Sequence, residues 1–265
     1  MSPNSTGGTM EVIVQRYRPD TDDAPRMVSY QVPWTQDTSV LDALNYIKDE
    51  LDSSLTFRWS CRMAICGSCG FTLNGQPKLG CEQFLRSYAP GPLTVEPLAN
   101  HDVERDLVVD LEPFMAKLAS VEPYLHPSEA GSPEPGNLQT PEQMASYSQY
   151  AACISCMLCY SACPQVGLAS DFLGPAAITA AVRYNKDSRD DGNRTRLPLL
   201  DQQDGLWSCT FIGACSTACP KGVDPAAAIQ QAKFAATMDW AQEFILPHRG
   251  AQGTHPKRGR RGSTT

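Results

Sequence analysis

Eleven cysteines confined to three windows, residues 61–81, 153–163 and 209–219, constrain this chain more than any other feature. The N-terminal stretch MSPNSTGGTM is polar, with no apolar signal core and no twin arginine, so export is not expected. In an unexported chain, tight cysteine arrays point to metal ligands rather than disulfides. The first array reads Cys61-x4-Cys66-x2-Cys69, with Cys81 further on. That is the spacing of plant-type [2Fe–2S] proteins. Gly67 and Gly70 suit a loop whose backbone must approach the sulfurs closely. The loop lacks the paired C-x2-C knuckles of zinc ribbons.

The second array, CISCMLCYSACP, carries Cys153, Cys156, Cys159 and Cys163 before Pro164, the complete bacterial ferredoxin run. The third, CTFIGACSTACP, has Cys209, Cys215, Cys219 and Pro220 in register but Ile212 where a thiolate is due. In two-cluster proteins the fourth cysteine of each run ligates the other cluster. Cys153, Cys156, Cys159 and Cys219 then hold a [4Fe–4S] cluster. Cys163, Cys209 and Cys215 remain, three thiolates for a [3Fe–4S] cluster, and no cysteine is left over. The alternative is that Ile212 packs in a core while water or another ligand completes a second [4Fe–4S].

Around these arrays the pattern is α+β. MEVIVQRY and VSYQV alternate as strands, and LTVEPL is a further short one. Ser39 caps a predicted helix whose apolar residues are Val40, Leu44, Ile47 and Leu51. Asn74-Gly75 marks a hairpin. RDLVVDLEPFMAKL is read as one helical run through Leu107, Leu111, Phe114 and Leu118. A small grasp-like sheet over residues 10–121 is expected, then a linker at 122–140 rich in Pro, Gly, Ser and Glu. An all-α ferredoxin-like unit follows at 141–247, with Thr140-Pro141 and Asp224-Pro225 as helix starts. Residues 248–265 read as a basic, low-complexity, disordered tail. That tail holds five basic residues and no acid, so the rest is more acidic than the formal charge of −7, which argues against nucleic acid as a partner. No apolar run reaches the ~20 residues needed to cross a bilayer.

FRWSCRMAICGSCG, CMLCYSACPQ, FLGPAAITAAVRYNKDSRD, WSCTFIGACSTACPKGVDPAAAIQQAK and DLVVDLEPFMAKL together resemble the iron–sulfur subunit of the succinate dehydrogenase/fumarate reductase family. The resemblance spans about residues 10–245. It implies a β-grasp [2Fe–2S] domain, an α-helical domain with [4Fe–4S] and [3Fe–4S] clusters, and a peripheral position at the cytoplasmic face of the cell membrane. The implied partners are an FAD-containing flavoprotein, an integral-membrane anchor and menaquinol. Gln165, Val166 and Gly167 after the second array, and Thr210 in the third, resemble the fumarate reductase branch. Succinate dehydrogenase, running in the opposite direction, is the alternative. Lys233 matches a lysine near the quinol site in that branch, with a solvated helix lysine as the other reading. Trp207 is read as packing that shields a cluster, or as a quinone contact. Arg58 and Arg62 flank the first loop and are open to cluster charge, flavoprotein or solvent. His101, His126, His248 and His255 are read as surface histidines. The sequence holds neither a dinucleotide-binding glycine motif nor a P-loop, so substrate chemistry is expected in a partner. A diffusible ferredoxin and a zinc module are the competing classes.

Overall fold

A computed structural model describes residues 7–127, 138–169 and 171–245. Strands β1 (Gly8–Arg16) and β2 (Arg26–Trp34) pair antiparallel along their whole length. Their alternation buries Met10, Val12, Val14, Tyr30 and Val32 on one face. Strands β3 (Gly70–Leu73) and β4 (Gln76–Leu79) form the hairpin expected at Asn74-Gly75, where both turn residues have positive φ. Strand β5 (Leu93–Glu96) lies between, parallel to β1 and antiparallel to β3, giving the order β2-β1-β5-β3-β4.

Helix α1 (Val40–Tyr46) starts at Ser39 with a reciprocal capping box to Asp42. It then widens into a π-turn, Ile47–Leu51, and Leu51, expected on the buried stripe, is left 46% exposed. The run read as one helix from Arg105 is also corrected. Val103–Arg105 (β6) and Val108–Val109 (β7) make a small hairpin, and α2 begins only at Glu112, followed by Pro113. The cause is Asp106, fully buried with φ of +47°. Its carboxylate accepts from Arg16 Nε at 2.9 Å, Tyr17 N at 3.0 Å and Thr56 N at 2.9 Å. Arg16, itself buried, also reaches Tyr30, Asp52 and Ser54. A buried charge must be paired this fully to be tolerated.

The second part is helical. Its long members are α3 (Pro141–Ala151), α6 (Pro175–Asn185), α7 (Asn193–Leu200) and α9 (Pro225–Ile245). Three short helices, α4 (Leu158–Ser161), α5 (Pro164–Leu168) and α8 (Ala214–Thr217), sit beside the cysteines. Helix α6 packs against α3 and α9, and Ala176, Ala177, Ile178, Ala181 and Val182 along it are all buried. The start of the stretch read as linker is tied down. Buried Arg196 donates to the carbonyls of Val121 and Tyr124 at 3.1 and 2.7 Å, and to Asp190 at 2.6 Å. The middle of that stretch and the basic tail, with His248 and His255, lie outside the described residues.

Candidate metal centres

The first cysteine loop leads into β3, and the β3–β4 hairpin returns the chain so that Cys81 joins it. Arg62, Ala64 and Gly67 have φ of +60°, +56° and +74°, which turns successive N–H groups inward. Met63, Ile65 and Cys66 donate to Cys61 Sγ at 3.4, 3.3 and 3.3 Å. Ala64 donates to Cys81 Sγ at 3.3 Å. The Ser68 side chain and the Cys61 backbone bring the Cys66 thiol down to about 6, while burial pushes Cys69 up to about 12. Four thiols with backbone donors aimed at them suit a [2Fe–2S] core, whose sulfur charge such donors stabilise.

The two later arrays are built on one backbone plan. After Cys153, Ser155 and Met157 are left-handed; after Cys209, Phe211 and Gly213 are left-handed at the same offsets. Each loop leads into a four-residue helix, α4 or α8, and then Cys-Pro. Ile212 therefore occupies the slot that Cys156 fills in the other loop. It is 61% exposed, so the reading in which it packs in a core is corrected.

Two separate cavities take the cysteines apart. One is lined by Cys153, Cys156, Cys159 and Cys219. The other is lined by Cys163, Cys209 and Cys215, with Ile212 on its wall. Burial pushes the Cys156 and Cys215 thiols up to about 11 and Cys159 well above its ordinary value. A metal that binds there must displace those protons. Among the described residues no group of Cys, His, Asp and Glu converges as a single-ion site. The sulfurs instead line cavity walls, and the donor sets fit multi-iron clusters.

Lys233, on α9, donates from Nζ to the Cys209 carbonyl at 2.7 Å and stands 5.7 Å from the Trp207 ring centre. Trp207 is 37% exposed and donates from Nε1 to Asp201 at 2.7 Å. Arg58 is committed to the Val109 carbonyl at 2.7 Å and to Glu104, and Arg62 stacks over Trp59. His101 and His126, read as surface histidines, are each half-buried. Burial, then Lys117, lowers the His101 pKa, and its ring stacks on Tyr160. Asn100 escaped sequence reasoning. Its Nδ2 donates to the carbonyls of Tyr160, Ser161 and Cys163 at 2.9, 3.2 and 3.0 Å, joining the sheet domain to the second array. Nothing local in an Asn-His pair signals such a long-range contact.

Residues 11–116 match the 2Fe-2S iron-sulfur cluster binding domain family, and residues 149–223 match the 4Fe-4S dicluster domain family. The fumarate reductase iron-sulfur subunit of Escherichia coli O6:H1 is 54% identical over 238 residues, covering 90% of this chain and 97% of the relative. The Mycobacterium tuberculosis fumarate reductase iron-sulfur subunit is also 54% identical, covering 89% and 96%. The succinate dehydrogenase iron-sulfur subunit of Paracoccus denitrificans is 39% identical over 83% of this chain and 85% of its own. In fold, a chain of the Mycobacterium smegmatis Sdh1 complex superposes with a TM-score of 0.79 at 24% identity, over 87% of this chain and 96% of its own.

A [2Fe–2S] domain followed by a dicluster ferredoxin domain defines an iron–sulfur electron-transfer protein. The chain belongs to the iron–sulfur subunits of the succinate dehydrogenase/fumarate reductase family, on the fumarate reductase side. Among the described residues no helix is long and apolar enough to cross a membrane.

Proposed function

We propose that this chain relays single electrons from menaquinol, bound at an integral-membrane anchor, to the FAD of a flavoprotein partner that reduces fumarate. It does so from the cytoplasmic face of the membrane, through three clusters. Cys61, Cys66, Cys69 and Cys81 hold [2Fe–2S]; Cys153, Cys156, Cys159 and Cys219 hold [4Fe–4S]; Cys163, Cys209 and Cys215 hold [3Fe–4S]. The observation that carries the reading is the division of the later cysteines between two cavities in the same sets that the crossover of fourth ligands requires. The clusters supply one-electron carriers; the chain supplies their spacing, burial and hydrogen bonds.

Exposed apolar side chains favour partners at both ends of the relay. Trp59, Met63 and Ile65 lie on the first loop; Phe211 and Ile212 lie on the third, with Phe234 and Met238 on α9. The first set suits a flavoprotein and the second an anchor, since such patches mark protein interfaces. The greater identity to fumarate reductase subunits supports the direction. Rates of quinol–fumarate and succinate–quinone turnover in the complex isolated from membranes test it. Faster succinate oxidation would favour the alternative.

At the quinol end, the role proposed for Lys233 is to stabilise reduced or semi-reduced quinone beside the Cys209 cavity. Its bond to the Cys209 carbonyl puts a cation on that rim. Lys233→Leu should slow quinol oxidation while fumarate reduction by an artificial dye donor persists. Equal loss in both assays would mean a broken relay instead.

A further inference from the structure

Gly67 is glycine for two reasons, and only one belongs to its own loop. Its φ of +74° is a conformation that side chains disfavour. Independently, a Cβ at Gly67 would lie 2.9 Å from Cys156 Cβ, 3.0 Å from Cys156 Cα and 3.1 Å from the Ile154 carbonyl oxygen. These neighbours belong to the second array, nearly 90 positions along the chain by the numbering of Gly67 and Cys156. They are backbone or Cβ atoms, which cannot swing aside. Gly70 repeats the pattern more loosely: its Cβ would meet Leu98 Cδ1 at 3.1 Å, Leu158 Cδ2 at 3.3 Å and the Cys156 carbonyl at 3.4 Å. Cys66, Gly67 and Ser68 also share a cavity wall with Ser155 and Met157. The first cysteine loop thus rests directly on a cysteine of the second.

We propose that Gly67 is a positioning residue for electron transfer between the first and second clusters: its missing side chain sets their distance of closest approach. The proposal rests on the assignment of Cys66 to the [2Fe–2S] and Cys156 to the [4Fe–4S] cluster. In the step, one electron leaves one cluster and enters the other, with no proton moved and no bond made or broken. Tunnelling between such centres falls exponentially with edge-to-edge distance. A methyl group wedged between the two loops lengthens that gap even when both clusters remain intact.

The test uses the whole complex, carrying Gly67→Ala or Gly67→Asn, with all clusters reduced for electron paramagnetic resonance. A nearby paramagnet speeds relaxation of the [2Fe–2S] spin, so its signal resists microwave saturation in proportion to proximity. Loop damage alone lowers the spin yield without altering how the surviving spins saturate. Gly67→Ala at full spin yield should saturate at lower power than wild type, with slower quinol–fumarate turnover. Wild-type saturation at full yield overturns the proposal. If Gly67→Ala loses the [2Fe–2S] signal through its φ, Gly67→Asn decides, because asparagine tolerates the left-handed region and sets a Cβ at the same point against Cys156. Saturation at lower power there supports the proposal, and unchanged saturation overturns it. A wild-type complex lacking either cluster signal refutes the ligand assignment beneath it, a distinguishable failure.

Discussion

Ile212 stands in a backbone slot shaped for a ligand. Phe211 on one side and Gly213 on the other repeat the left-handed turns that flank Cys156. Only the side chain differs, so a thiolate restored at this position has the geometry it needs. Ile212→Cys should convert the proposed [3Fe–4S] centre to [4Fe–4S]. The oxidised wild-type protein should show the [3Fe–4S] resonance and the variant should lose it, with quinol oxidation slowed because an added ligand charge lowers the potential. A wild-type protein with full iron and no such resonance would show the three-thiolate reading to be mistaken. Cysteine spacing made this slot legible in the sequence, because ligand chemistry fixes intervals along the chain. Exposure was not legible: whether an isoleucine faces a core or an opening depends on helices far away in sequence. The same holds for Asn100, Arg16 and Arg196, whose partners lie many residues off.

Helix α9 shows how a local signal and a distant one combine at its start. Asp224, read from the sequence as its N-cap, accepts from Ala227 N at 2.9 Å. The structure adds Ser216, on α8: its hydroxyl donates to Asp224 Oδ1 at 2.5 Å and accepts from Ala226 N at 3.1 Å. The cap therefore fastens α9 to the turn that carries Cys215. The Ser216 hydrogen bond, then the Ala227 N–H, hold the Asp224 carboxyl below its ordinary pKa. A depressed carboxyl contributes stability that is present above its unfolded value and is lost as pH falls through the folded one. Asp224→Ala should cost about 1 kcal/mol, with the same difference at about pH 7 and about pH 5, both above the unfolded carboxylate range. Denaturant melts of the holoprotein at the two pH values check this. A cost that vanished at the higher pH would mean the carboxylate is not the cap. Caps, the Asn-Gly hairpin and strand alternation were all readable because each is set within a few residues. The helical run from Arg105 failed for the opposite reason, since the buried Asp106–Arg16 pair overrides local period there.

At the scale of the molecule, the two later arrays are interlocked and the first is not. One cavity draws Cys153, Cys156 and Cys159 from one segment and Cys219 from the other; the second draws Cys209 and Cys215 from the later segment and Cys163 from the earlier. A cluster in either cavity thus cross-links α4 and α8, and its binding energy is folding energy for both. The sheet domain buries Val12, Val14, Phe71, Leu93 and Val95 almost wholly, in a core continuous with that of the helical part, and its four cysteines come from one continuous stretch. Damage should spread accordingly. Cys156→Ser should remove the [4Fe–4S] signal and, by freeing Cys219 and the α8 turn, weaken the [3Fe–4S] signal as well. The [2Fe–2S] signal should survive in whatever protein remains soluble. Iron content and electron paramagnetic resonance on the same samples make the comparison. Soluble, full-length Cys156→Ser protein with its [3Fe–4S] signal at full strength would mean that each segment holds its own cluster, and the crossed assignment would have to be abandoned.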